Sequence, residues 1–319
     1  MIGAAIHWNQ AKPMNFEPDA ILERRRLRRR LSLWRIAAIL AALGVVGLMI
    51  ISTSEVRVPG VRHIARLDVT GIIIDDEERD GALLDLAEDG NAKALIVAID
   101  SPGGTTSGSE GLYLALREVA KKKPVIAVMG SVAASGGYIT AIGADRIFAR
   151  GNTITGSIGV LFQNTEISKL LEKVGVDVEL VTSGPLKGKP SPFEPMDEQG
   201  RKALNVLIGD SYRWFVDLVA ERRALAPEKA LELADGRVFS GRQALEAKLI
   251  DQLGGQREAL EWLDREKAVS KDLPVHPVKY GEEDDLANTL FDSSIFRNFR
   301  KSLNLERLTL DGLVSLWHP

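Results

Sequence analysis

Short apolar runs that end in glycine-rich turns, each followed by a stretch with helical spacing, recur along the middle of this chain. Residues 94–99 (ALIVAI) lie between Gly90-Asn91 and Ser101-Pro102-Gly103-Gly104. A run that is apolar at every position suits a strand buried on both faces, as in a parallel sheet. Residues 110–121 follow, with Leu112, Ala115, Leu116 and Val119 on one helical face. Residues 124–129 read as the next strand, 138–144 as a helix and 146–149 as a strand. Strand, helix and strand at this interval predict βαβ units and an α/β fold with a parallel sheet. Residues 156–162 and 176–182 extend the strand series on either side of a helix at 167–174. Two helices are expected over 197–225 and 227–234, and the acidic run 75–80 reads as a solvated loop.

Composition removes several function classes. The chain has no cysteine, which excludes disulfides, thiolate metal sites and a cysteine nucleophile. Its four histidines, His7, His63, His276 and His318, are scattered, so no metal site and no cofactor is expected. A net charge of -3, with the clustered arginines confined to one short segment, argues against nucleic acid as a partner.

That arginine segment has its own meaning. Residues 36–54 carry no charge, and a stretch of about 19 such residues spans a hydrocarbon core. Arg24, Arg25, Arg26, Arg28, Arg29, Arg30 and Arg35 stand immediately before it, which by the positive-inside rule puts residues 1–35 in the cytoplasm. The leader is long and Ser52-Thr53-Ser54-Glu55 is a poor cleavage site, so an uncleaved anchor is favoured over a signal peptide. The expected organisation is a basic leader (1–35), a transmembrane helix (36–54), a linker (55–62), a catalytic domain (63–280) and a tail (281–319). In the tail, Phe291, Ile295 and Phe299 follow one another at four-residue spacing. That spacing is compatible with an amphipathic interfacial or subunit-docking helix, and the composition with a solvated, partly disordered extension.

The candidate chemistry centres on Gly130-Ser131-Val132-Ala133-Ala134-Ser135-Gly136-Gly137-Tyr138, directly after an expected strand. Small residues on both sides of Ser135 let a substrate backbone approach, and glycine amides beside it are free to face a developing oxyanion. A second glycine turn, Ser101 to Gly104, ends the preceding strand. Both turns fall at the carboxyl edge of the sheet, where ligands bind in such folds. A serine nucleophile needs a base, and no histidine is near. Lysine can serve once its ammonium is desolvated. Lys187 and Lys189 share one loop, and spacing alone does not choose between them.

Five segments together resemble the signal peptide peptidase A (SppA) family of membrane-anchored serine peptidases. They are Asp100 to Gly104, Gly130 to Tyr138, Thr155-Gly156-Ser157-Ile158-Gly159-Val160, Ser183-Gly184-Pro185-Leu186-Lys187 with Ser191-Pro192 and Met196, and Val238 to Asp251. They occur in the family's order across roughly residues 63–255. The resemblance implies a fold shared with Clp proteases and crotonases, and a Ser–Lys dyad in place of a triad. Ser135 falls on the nucleophile and Lys187 on the general base. The oxyanion donors fall on Gly136 and a glycine of the 101–104 turn, Gly104 ahead of Gly103. Gly188 stands where the family commonly has an acidic residue, which leaves the orientation of Lys187 open. The resemblance further implies a homo-oligomer with sites shared between subunits, hydrophobic peptide substrates such as remnant signal peptides, and no cofactor. Its setting would be the bacterial inner (cytoplasmic) membrane, with the catalytic domain on the periplasmic side. A crotonase-type acyl-CoA enzyme and a non-catalytic scaffold are the rival readings. Membrane orientation and the loop lysine weigh against the first, intact Ser135 and Lys187 against the second.

Overall fold

A computed structural model describes residues 34–36, 38–41, 61–281 and 314–316. The chain divides into two units, Met1–Val61 and Arg62–Pro319. In the first, residues 34–36 and 38–41 are helical and exposed. Most of the expected anchor at 36–54 lies outside the described residues, among which no helix is long and apolar enough to cross a membrane.

The second unit is mixed α/β around a largely parallel sheet. Its strands are β1 (His63–Ile73), β2 (Ala92–Thr105), β3 (Val125–Ala134), β4 (Arg146–Ala149), β5 (Ile154–Gly156), β6 (Val238–Ser240), β7 (Gln252–Leu253), β8 (Val275–Pro277) and β9 (Val314–Leu316). The order is β6-β5-β3-β2-β1-β8, with β4 bridging β3 to β7 and β9 added to β2. Only β5–β6 and β2–β9 are antiparallel. The helices are α1 (Glu77–Glu88), α2 (Thr106–Ala120), α3 (Gly136–Ile142), α4 (Ser168–Lys173), α5 (Glu198–Arg222), α6 (Pro227–Leu233), α7 (Gly241–Glu246) and α8 (Gln256–Lys267).

Period-2 alternation explains the apolar run at 94–99. Leu95, Val97 and Ile99 enter one core with Leu112, Leu116 and Phe215, while Ala94 and Ile96 enter a second with Phe148, Ala259 and Leu263. Each face is therefore covered by helices, and no polar residue is tolerated at the sheet's centre.

Four local expectations need correction. Residues 77–80 are helix and not loop: Asp76 Oδ1 accepts the Arg79 N–H at 2.9 Å and caps α1, and Arg79 turns inward to pair with Asp80. The Ser101–Gly104 turn lies within β2, because Gly103 and Gly104 stay in register with Ile72 and Ile73 of β1. The strand does not run on over 157–162, since the ladder to β3 ends at Gly156, whose backbone has a positive φ. Residues 176–182 form no strand either. Val176, Val178, Leu180 and Val181 are exposed there, Val181 at 88 %, with no neighbouring strand among the described residues.

Candidate active site

Ser135 sits where β3 changes partners. Ile126 to Met129 pair with β4, Val132 to Ala134 pair with β5, and the strand then stops. Side chains hold this junction. Thr153 Oγ1 donates to Gly130 O and Thr155 Oγ1 to Ala133 O, both at 2.7 Å, while Asp100 Oδ1 accepts the Val132 N–H at 2.9 Å. Ser135 then turns the chain at φ 57°, ψ -116°, its N–H donating to Gly156 O at 2.8 Å. Such a backbone costs a non-glycine residue about 1–3 kcal/mol, and strain of this kind collects at functional sites. The residue is 1 % exposed.

The two glycine turns meet at this point. A Cβ on Gly136 would lie 3.0 Å from Gly104 N and would overlap Ser109 Oγ. One on Gly137 would come within 2.7 Å of Ser101 O, and one on Gly104 would overlap the Ile73 carbonyl. Only glycine lets α3 and β2 approach this closely. Gly136 and Gly137 open the first turn of α3, in which Tyr138 and Ile139 donate to Ser135 O. Ser101, fully buried, fixes the opposite wall. Its Oγ donates to Gly71 O at 2.6 Å and accepts the Gly103 N–H at 3.1 Å. The Gly103 amide is thus already engaged by Ser101 Oγ. Below α3, Tyr138 OH donates to Leu249 O at 2.9 Å, and burial pushes the phenol up from its ordinary range.

Ser135 opens on a cavity of about 420 Å³. Ile158, Val160 and Leu161 supply an apolar wall, and Tyr212, with Asp235 and Gly236, closes it from distant parts of the chain. Tyr212 OH is held by Ala234 O at 2.8 Å. Arg237 pairs with Asp235 and, with its backbone N–H, pulls that carboxyl down to about 2. Neither Tyr212 nor Asp235 belongs to a recognisable motif, and their sequence positions carry no signal of this role.

The two candidate lysines separate clearly. Lys189 Nζ is 2.7 Å from Glu194 Oε1 and 3.0 Å from Asp197 Oδ2. The hydrogen bonds that its ammonium donates to Glu194, then Asp197, raise its pKa and hold it charged. Lys187 is exposed; its backbone N–H donates to Gly184 O, and its ammonium has no partner among the described residues. Within one chain it does not line the Ser135 cavity. His63 and His276 stack with ring centroids 5.0 Å apart. His63 opens β1, whereas Ser135 follows the end of β3, so the histidines lie at the opposite edge of this parallel sheet.

The profile of peptidase family S49 matches residues 117–270, which include Ser135, α3 and the lysine loop. A Synechocystis sp. relative with a provisional protease name is 43 % identical over 203 residues, 63 % of this chain and 73 % of that protein. The chain belongs to peptidase family S49. A provisionally named signal peptide peptidase SppA of Enterococcus faecium is 34 % identical over 223 residues, covering 66 % of this chain and 65 % of its own length. A solved ClpP1 mutant from Listeria monocytogenes is 17 % identical with a TM-score of 0.41, covering 60 % of this chain and 92 % of that one. As an S49 member the chain is a serine peptidase.

Proposed function

We propose that this S49 peptidase is a membrane-anchored endopeptidase that hydrolyses hydrophobic peptides with a Ser135–Lys187 dyad, on a Clp protease/crotonase-like fold. The observation that carries the reading is Ser135 itself, a buried serine held at positive φ between the Gly104 and Gly136 turns and opening on a partly apolar cavity. Its Oγ attacks the scissile carbonyl, and its proton passes to Lys187 Nζ. The amides of Gly136 and Gly104 hold the oxyanion, and the amine leaves with a proton returned from the lysine. Water then hydrolyses the acyl-enzyme along the same route.

In this proposal Lys187 comes from a neighbouring subunit of a homo-oligomer. The exposed apolar residues at 176–181, just before the lysine loop, are a surface that a second copy would cover. Such contact strips water from a lysine, and an ammonium without water gives up its proton more readily. The substrates proposed are remnant signal peptides at the bacterial inner membrane, with residues 36–54 as anchor and the catalytic domain on the periplasmic side.

The test mixes Ser135→Ala and Lys187→Ala proteins in equal amounts with subunit exchange. If each site takes its serine and lysine from different chains, about one site in four regains both and peptidase activity returns to about 25 %. No recovery despite demonstrated exchange refutes the shared site. Fluorophosphonate labelling that survives Ser135→Ala refutes the nucleophile.

A further inference from the structure

Ser135 and its cavity lie at the carboxyl edge of the sheet, and a second cavity of about 500 Å³ lies at the amino edge. It is enclosed where β1, β2 and β3 begin and where α1 and α8 end. Four separate segments bring cations to it. Arg62 stands ahead of β1, Lys93 at the start of β2, Lys122 and Lys123 in the α2–β3 turn, and Lys267 at the end of α8. Two carboxylates, Glu88 and Asp89, share the wall, so five cations stand against two anions in a chain whose net charge is -3.

Little of that positive charge is neutralised. Among the described residues, Lys122 alone of the five makes an ion pair, with Glu88 at 3.4 Å. Asp89 Oδ1 accepts the Asn91 N–H. Lys123 Nζ donates to the carbonyls of Leu86 and Asp89, and Lys93 Nζ to that of Gly90 at 2.7 Å. These acceptors carry no net charge. An ammonium has three donors, so one is left over on Lys123 and two on Lys93. Burial pushes Lys123 below the ordinary lysine range in spite of Asp89, and Lys93 adds to the depression. A charged group with several acceptor oxygens would relieve this repulsion, and a guanidinium such as Arg62 takes two oxygens of a phosphate at once. Pro124, Val269 and Leu273 form an apolar part of the same wall.

We propose that this cavity binds a phosphate group through Arg62, Lys93, Lys123 and Lys267, on the side of the sheet away from Ser135. The inference is independent of the Ser135–Lys187 dyad. A phospholipid headgroup and soluble phosphate share the required chemistry. Arg62 stands eight positions after residue 54, the end of the expected anchor, and the experiment separates the two sources.

Full-length protein in a neutral detergent is titrated with inorganic phosphate, dihexanoyl phosphatidylglycerol and dihexanoyl phosphatidylcholine. Competitive acetylation read by mass spectrometry reports each lysine. Lys93 and Lys123 should lose reactivity at least about threefold on binding, while Lys202 and Lys229, exposed on α5 and α6, keep theirs. By calorimetry, Lys93→Gln combined with Lys267→Gln should weaken binding at least about tenfold, and Lys123→Arg, which keeps the charge, should retain it. Lys267 is exposed and Lys93 partly so, and thermal melting checks that the double variant stays folded. Phosphatidylglycerol binding more tightly than both other probes supports the proposal with a lipid headgroup as ligand; phosphate binding as tightly as phosphatidylglycerol supports it with a soluble anion. Equal protection of Lys202 and Lys229, no protection by any probe, or an affinity that the double variant leaves unchanged overturns it.

Discussion

Substituting Gly136 by alanine tests whether close approach of α3 to β2 is what makes the site. The added methyl would overlap Ser109 Oγ and lie 3.0 Å from Gly104 N and 3.2 Å from Gly103 Cα. Ser109 cannot easily yield, since it is fully buried and its hydroxyl donates to Thr105 O at 2.8 Å. Overpacking of this kind costs about 1–3 kcal/mol. At about 2–4 °C per kcal/mol for a domain of this size, Tm should fall by about 2–12 °C. Activity should suffer more, because the strain is relieved by moving α3, and with it the Gly136 amide, away from Gly104. Loss of one oxyanion donor lowers kcat by about 10²–10³. Ser109→Ala removes the obstructing oxygen at the expense of one hydrogen bond, about 0.5–1.5 kcal/mol. The double variant should therefore regain activity and stability relative to Gly136→Ala, with a coupling of about 0.5–3 kcal/mol between the sites. Urea unfolding and fluorogenic-peptide kinetics on the four proteins of the cycle measure both quantities. Additive effects, or a Gly136→Ala enzyme as active as the parent, would refute the reasoning.

Other perturbations probe the surroundings. Tyr138→Phe strands the buried Leu249 carbonyl and should destabilise by about 1–3 kcal/mol in urea unfolding. Its kcat should change far less than that of Gly136→Ala, because the ring still fills its place under α3. The Asp235 carboxyl should titrate near 2 by carbon NMR, and Arg237→Gln should return it towards about 4. Because the folded-state value is depressed, any stabilisation from this pair is present above the unfolded-state value. It is lost only as pH falls from about 4 through 2, so the cavity rim should be insensitive to pH near neutrality.

The centre of the sheet was legible because burial on both faces leaves a continuous apolar run, as at 94–99 and 124–129. Helix α1 was hidden for the opposite reason. Its first turn is a run of charges, and nothing local tells that Asp76 caps the helix or that Arg79 turns inward. Residues 176–182 carry strand-like composition, yet a strand exists only with a partner, and pairing is decided far away in the sequence. Around Ser135, the glycines announced close approach, whereas the serine's own backbone angles and the hold of Ser101 on Gly103 required three-dimensional placement. Spacing could not tell Lys187 from Lys189, because what distinguishes them, the pairing of Lys189 with Glu194 and Asp197, is set by the folded loop. The cavity wall from Tyr212 and Asp235 was illegible, since neither residue belongs to a recognisable motif.

Helix α5 has a mechanical consequence. Its 25 residues make a rod about 37 Å long. At one end Asp197 both caps the helix, through the Gly200 N–H, and grips Lys189, two residues from Lys187. At the other, Arg222 donates to Ile142 O and Ala144 O, at the far end of α3 from Ser135. A force that displaces the lysine loop is therefore delivered along the rod to the helix that seats the serine. Under the shared-site proposal, seating a neighbouring subunit on that loop would load the turn at Ser135 from behind, and assembly and the alignment of Ser135 would share one lever.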